Sequence, residues 1–197
     1  MGLPTVFIRL TGCPLRCVWC DTEYAFSGGN IFSVDKILDA VTGYKTAYVC
    51  VTGGEPLAQK NCLILLNALC EAGYDVSLET SGALDISSVN LKVSRIVDLK
   101  APGSGECEKN LWKNIECLMS HDELKFVLKN REDYQWASAI LLERYPGLLK
   151  KNIPILFLPV QEMLDPTELA EWILEDSLPV RFQLQLHKQL WGNRRSK

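Results

Sequence analysis

Residues 47–82 read AYVCVTGGEPLAQKNCLILLNALCEAGYDVSLETSG, and the order of features within them decides the fold. Ala47–Thr52 is an apolar, β-branched run of strand length, cut off by Gly53-Gly54-Glu55-Pro56. Cys62–Ala72 is apolar and of helical length, with Gly73 placed to stop it. Val76–Glu79 is a second strand, ended by Thr80-Ser81-Gly82. Strand, helix and strand in that order make a right-handed crossover between parallel neighbours.

The same unit repeats on both sides. Upstream, Thr5–Leu10 is a strand, and Ser33 is a plausible N-cap for a helix from Val34 to about Val41. Downstream, strands are expected at Arg95–Leu99, Leu124–Leu128, Ile155–Leu158 and Val180–Leu186. Helices are expected at Leu111–Met119, at Glu132–Tyr145 before Pro146-Gly147, and from Pro166 to about Glu175 behind an Asp165 cap. Six or seven such units are too few for an eight-unit barrel. An open partial barrel or a doubly wound sheet remains. No linker, repeat or low-complexity tract interrupts the chain, so residues 1–197 are expected to form a single domain.

Composition narrows the class. The apolar fraction is 47% and the charged fraction 23%, as in ordinary soluble proteins. Twenty-one basic against 24 acidic side chains give a net charge of −3, which offers no electrostatic footprint for nucleic acid. No apolar run approaches the ~18 residues of a membrane span. The opening MGLPTVFIRL lacks the basic and long apolar regions of a signal peptide, and fits a myristoylation signal poorly. Eight cysteines without a secretory signal point to a cytoplasmic chain with reduced thiols, some of them ligands or reactive.

Cys13, Cys17 and Cys20 form C-x3-C-x2-C directly after the first strand. Structural zinc wants four closed ligands, usually from two C-x2-C pairs. Three thiolates on a four-iron cluster would leave one iron open to a substrate or cofactor. Zinc completed by His121 or His187 is the alternative, and buried thiols are the plainest one. Gly12, Pro14, Arg16 and Asp21 make the segment polar, a poor place for core filler. Trp19 would set an aromatic face beside a cluster. Cys50, Cys62 and Cys70 sit in apolar elements and read as core, whereas Cys107 and Cys117 carry no pattern.

The segment CPLRCVWC, followed one strand later by Gly53-Gly54-Glu55-Pro56, resembles the two signature motifs of the radical S-adenosylmethionine (SAM) superfamily. Within it, Cys20-Asp21-Thr22, Glu79–Gly82, Asp98–Lys100 and Gln185–Gly192 resemble the 7-carboxy-7-deazaguanine synthases, carbon–nitrogen lyases of queuosine biosynthesis, a tRNA-modification pathway. The resemblance implies a single radical SAM core domain of α/β class. It would be a partial (βα)6-type barrel with a mostly parallel sheet and its active site at the carboxyl ends of the strands. A [4Fe-4S] cluster on Cys13, Cys17 and Cys20 would chelate SAM through its open iron. One-electron cleavage would give a radical that takes hydrogen from 6-carboxy-5,6,7,8-tetrahydropterin. The ring then contracts, ammonia leaves and SAM is regenerated. The protein's share is positioning and water exclusion.

By the same resemblance Trp19, Gly54, Asp98, Leu99, Lys100, Pro159, Val160 and Gln161 contact SAM, and Thr22 contacts Mg2+. Arg9, Thr52, Gln185 and His187 contact the pterin. Without the resemblance, Gly53–Pro56 is also a plain turn, Asp98 a solvated strand end, Arg9 a strand-edge ion pair and His187 a structural histidine. The resemblance further implies a homodimer, a flavodoxin-like electron donor, and no direct contact with nucleic acid or membrane. A Gln-Gly-Glu-Gly segment that the family carries ahead of its Gly-x-Pro is absent before Gly2–Pro4, so weaker pterin binding is expected. Two rival readings remain: a radical SAM activase that installs a glycyl radical on a partner, and a non-catalytic iron–sulfur or zinc protein. The first does not predict Gln185-x-His187-Lys188, and the second does not need Gly53–Pro56.

Overall fold

The computed structural model describes residues 2–192 and Arg194. Its sheet contains β1 (Thr5–Leu10), β2 (Tyr48–Gly53), β3 (Asp75–Thr80), β4 (Ser94–Lys100), β5 (Glu123–Leu128), β6 (Ile155–Pro159) and β7 (Arg181–Phe182). The spatial order is the chain order, and every neighbouring pair is parallel. A doubly wound sheet reverses its strand order part-way. This one never does, so right-handed crossovers all return over the same face. That is the winding of a partial TIM-type barrel, with strands at the seven places the sequence marks, all of them parallel rather than mostly so.

Alternation sorts each strand's side chains. Val49 and Val51, Val76 and Leu78, Val97 and Leu99, and Leu124, Phe126 and Leu128 are buried in the core under the crossovers. The other face carries Arg9, Thr52, Glu79, Asp98, Lys100 and Lys125, because a strand's side chains alternate with period two. The helices are α1 (Val34–Thr42), α2 (Cys62–Glu71), α3 (Arg131–Ala139), α4 (Pro166–Glu175) and α5 (Leu186–Trp191). Their starts are capped as the sequence suggests. Ser33 accepts from the Lys36 amide and Asp165 from the Thr167 amide. Leu65, Leu66 and Leu69 set α2 into the core.

Three expectations are corrected. Residues 111–119 form only a 3-10 turn, Trp112–Ile115. Asn114 is fully buried there. Its amide donates to the carbonyls of Gly82 (3.1 Å) and Leu84 (2.8 Å) and its oxygen accepts from the Ile86 amide (3.2 Å). A side chain that satisfies a neighbouring loop this way competes with helix formation. Ile86, Val89, Val93, Ile115 and Leu118 then fill the space that helices fill in the other crossovers. The helix expected at 132–145 is α for Arg131–Ala139 and widens to a π turn over Ile140–Arg144 before Pro146. The last strand keeps only Arg181–Phe182 of the expected 180–186, and Leu186 opens α5. The period-two pattern of RFQLQL is real, but the chain leaves the sheet to reach the loop after β1.

Candidate active site

The two signature motifs are built onto each other. Beyond the β1–β2 ladder, the Gly54 amide donates to the Leu10 carbonyl (3.0 Å) and the Glu55 amide to the Gly12 carbonyl (2.7 Å). Gly12 turns the chain with φ +91°, a conformation glycine adopts without strain. A Cβ on Gly54 would lie 2.5 Å from the Gly12 carbonyl oxygen and 2.8 Å from the Cys13 Cβ. The missing side chain therefore lets the glycine motif pack against the first cysteine. Glu55 has no exposed surface. Its carboxylate accepts from the Leu57 amide (2.9 Å), the Thr80 hydroxyl (3.0 Å), the Ser81 amide (2.6 Å) and the Ser81 hydroxyl (2.5 Å). It bonds the end of β2 to the end of β3 and is taken up entirely by that work.

The cysteine loop is pinned from the other side by the segment after β4. Val18 donates its amide to the Ser104 carbonyl (3.0 Å), and the Arg16 amide donates to Glu106 Oε1 (2.5 Å). Arg16 Nη1 reaches the Cys13 carbonyl (2.8 Å), with its guanidinium over the Phe26 ring. Leu15 anchors the loop in the interior. Cys13, Cys17 and Cys20 are left as free, partly exposed thiols. Burial pushes the Cys17 thiol up, and the Lys100 ammonium works against that. Burial also raises Cys20, and a backbone hydrogen bond at Thr22 opposes it. Among the described residues, no three His, Cys, Asp or Glu side chains gather as the ligands of a single ion would. Three free thiols on one loop can each take a separate iron of a four-iron cluster and leave the fourth iron open, so the donor set fits an iron–sulfur cluster. Cys50 and Cys62 differ, since burial holds both thiols up at about 12.

Across from the loop lies a charged ladder. Asp98 Oδ2 is 3.2 Å from Lys100 Nζ and 3.4 Å from Lys125 Nζ, which is also 3.4 Å from Glu79 Oε2. Burial alone would lower both lysines, but the carboxylates raise them instead, so both stay ammonium ions. Asp98 Oδ1 is buried and has no partner. A buried, unsatisfied carboxylate oxygen suits a ligand hydroxyl, as a ribose would supply. Lys125 and Glu79 escaped the sequence reading as site residues. A lysine inside the apolar run of β5 was the available signal, the same kind that marked Arg9 in β1.

At the far side, a cavity of about 200 Å3 lies between the end of β6 and the C-terminal segment. Pro159, Gln161, Gln185 and Lys188 are among its walls. Gln161 Oε1 and Gln185 Oε1 are buried without partners.

The radical SAM superfamily profile matches residues 7–96, which include both signature motifs. A 7-carboxy-7-deazaguanine synthase of Koribacter versatilis is 41% identical over 96% of this chain and 89% of its own length. One of Chlorobaculum tepidum is 42% identical over 97% and 87%, and one of Methanospirillum hungatei 37% over 95% and 77%. The chain belongs to the 7-carboxy-7-deazaguanine synthase family.

For a member of this family, most residues named from sequence fall at one edge of the sheet. Cys13, Cys17, Cys20, Trp19, Gly54, Asp98, Lys100, Arg9 and Thr52 all lie at the carboxyl ends of β1, β2 and β4 or in the loops beyond. The ring of Trp19 lies 5.9 Å from Lys129 Nζ, after β5. Arg9 is exposed, with its guanidinium 5.8 Å from the Tyr24 ring centre, and Thr52 pairs with it across the β1–β2 ladder. Two residues turn away. The Leu99 side chain belongs to the core on the opposite face, and Val160 is buried too. His121 precedes β5, at the opposite edge from the cysteines, beside Asp122. His187 reaches Asp21, next to Cys20, at 3.7 Å.

Proposed function

We propose that this chain converts 6-carboxy-5,6,7,8-tetrahydropterin to 7-carboxy-7-deazaguanine with loss of ammonia, as a radical SAM lyase of queuosine biosynthesis. The observation that carries the reading is the convergence of three free thiols, the glycine motif and a partnerless Asp98 oxygen at one sheet edge of a member of this family. Cys13, Cys17 and Cys20 would hold a [4Fe-4S] cluster, and the bound cluster supplies one-electron reductive cleavage of SAM. Every other task falls to the chain's own groups. Asp98 Oδ1 accepts from a ribose hydroxyl. Lys100, held as an ammonium ion, balances a ligand carboxylate. Pro159 and Gln161 wall the adenine side.

Arg9 takes the pterin carboxylate, since a guanidinium fork matches it with two parallel hydrogen bonds. Thr52, Gln185 and His187 bind the ring. The Thr22 hydroxyl donates to Asp21 Oδ1 (2.8 Å), which leaves its lone pairs free for a magnesium ion. A homodimer and a flavodoxin-like electron donor complete the reading. Among the described residues no helix is long and apolar enough to cross a membrane. The comparisons give no support to an activase or to a non-catalytic metal protein.

Binding under anaerobic conditions tests the substrate side. Losing one charge-assisted hydrogen bond costs ~1.5–3 kcal/mol, so Arg9→Ala is expected to weaken pterin binding roughly tenfold or more. Titration calorimetry should show SAM affinity nearly unchanged. A variant that loses SAM affinity and keeps pterin affinity would assign Arg9 to the wrong ligand.

A further inference from the structure

The C-terminal segment is held in place by little besides charge. After β7 the Gln183 amide makes one more bond to the sheet, to the Phe157 carbonyl (3.0 Å). The chain then enters α5, six residues long, none of them buried. A helix this short has no independent stability in water. Leu186 and Leu190 stay exposed, so burial of α5's own leucines does not fix it either. One carboxylate meets it. Asp21 Oδ2 lies 3.5 Å from Gln185 Nε2, 3.7 Å from His187 Nε2 and 3.8 Å from Lys188 Nζ. The other oxygen of Asp21 accepts from Thr22.

This contact also decides how Gln185 faces. A carboxylate accepts only from the NH2 end of the carboxamide, because the oxygen end would be repelled. With its nitrogen turned to Asp21, Gln185 leaves Oε1 buried and partnerless on the wall of the cavity. An orphaned acceptor in that position suits an N–H donor of a bound ring.

We propose that Asp21 is a positioning residue. It holds residues 183–191 against the cysteine loop and turns the Gln185 carboxamide so that Oε1 accepts from an N–H of the substrate. The substrate half rests on the function proposed above; the holding half does not.

The test uses the iron-reconstituted full chain as wild type, Asp21→Asn, Asp21→Glu, Lys188→Ala and the Asp21→Asn/Lys188→Ala pair. Amide hydrogen exchange over residues 183–191, read by mass spectrometry, is expected to speed up about fivefold or more in Asp21→Asn, the scale of one lost hydrogen bond. The pterin KM should rise by a similar factor, with iron content as in wild type. Asp21→Glu keeps the charge and should recover most of both effects. Lys188→Ala should add less in the pair than alone, because partners in one contact are not additive. Unchanged exchange in Asp21→Asn overturns the holding role. Faster exchange with an unchanged pterin KM overturns the presentation of Gln185. A wild-type protein that does not turn over the pterin, while Asp21→Asn still loosens the segment, overturns the functional reading and leaves the holding role standing.

Discussion

Cys17→Ala is expected to abolish reductive cleavage of SAM, and Cys13→Ala and Cys20→Ala to do the same. Each of the three thiolates would hold its own iron, so losing one leaves that iron without its protein ligand. Cys62→Ala is the contrast. The Cys62 thiol is buried and pushed up to about 12, and only a thiolate binds metal. Its loss should leave iron content and visible spectrum as in wild type. Iron analysis and 5′-deoxyadenosine release, measured anaerobically on all four variants, check this. A cluster and SAM cleavage that survive Cys17→Ala would refute the ligand assignment.

The largest stability effect is expected far from the chemistry. Arg95 on β4 and Asp122 ahead of β5 are almost wholly buried, with side chains 1% and 0% exposed. Asp122 accepts from the Arg95 amide (2.8 Å), Arg95 Nε (3.0 Å), Arg95 Nη2 (2.5 Å) and the Met119 amide (2.7 Å). Asp122→Ala strands a guanidinium in the core, which costs about 3–5 kcal/mol. For a chain of this size that lowers Tm by roughly 10 °C. Replacing both partners with apolar residues of similar volume should recover most of the loss, since it strands no charge. Thermal unfolding of the iron-free chain reads both. A drop in Tm of only a degree or two in Asp122→Ala would show that the pair is not the buried link described.

The fold was legible where sequence and burial agree. β1 through β6 lie within about a residue of their expected spans because β-branched and apolar runs end sharply at glycine, proline or polar residues. α2 and α4 were legible from their stops and caps. The segments that misled did so through long-range bonds. The Asn114 side chain spends its hydrogen bonds on the loop before β4, and nothing local announces that. Residues 180–186 alternate like a strand, yet the chain is drawn towards Asp21. The site was legible as a set of motifs, because strand ends in a parallel sheet converge whatever the details.

Roles inside the motifs were less legible. Glu55 sits in a Gly-Gly-Glu-Pro turn, where nothing local marks its carboxylate as engaged. In the fold it is buried and spends its carboxylate on Leu57, Thr80 and Ser81. Leu99 and Val160 sit within motifs, but alternation and burial turn their side chains from the site. The ladder through Glu79, Asp98, Lys100 and Lys125 depends on register between three strands, which no single stretch of sequence carries.

Mass analysis of the product decides whether this site performs the ring contraction. The iron-loaded chain is incubated anaerobically with a low-potential reductant, SAM, magnesium and the tetrahydropterin. The expected result is 7-carboxy-7-deazaguanine, one ammonia released for each product formed, and no product without SAM. A protein with its full iron content that cleaves SAM and returns the pterin unchanged would contradict it.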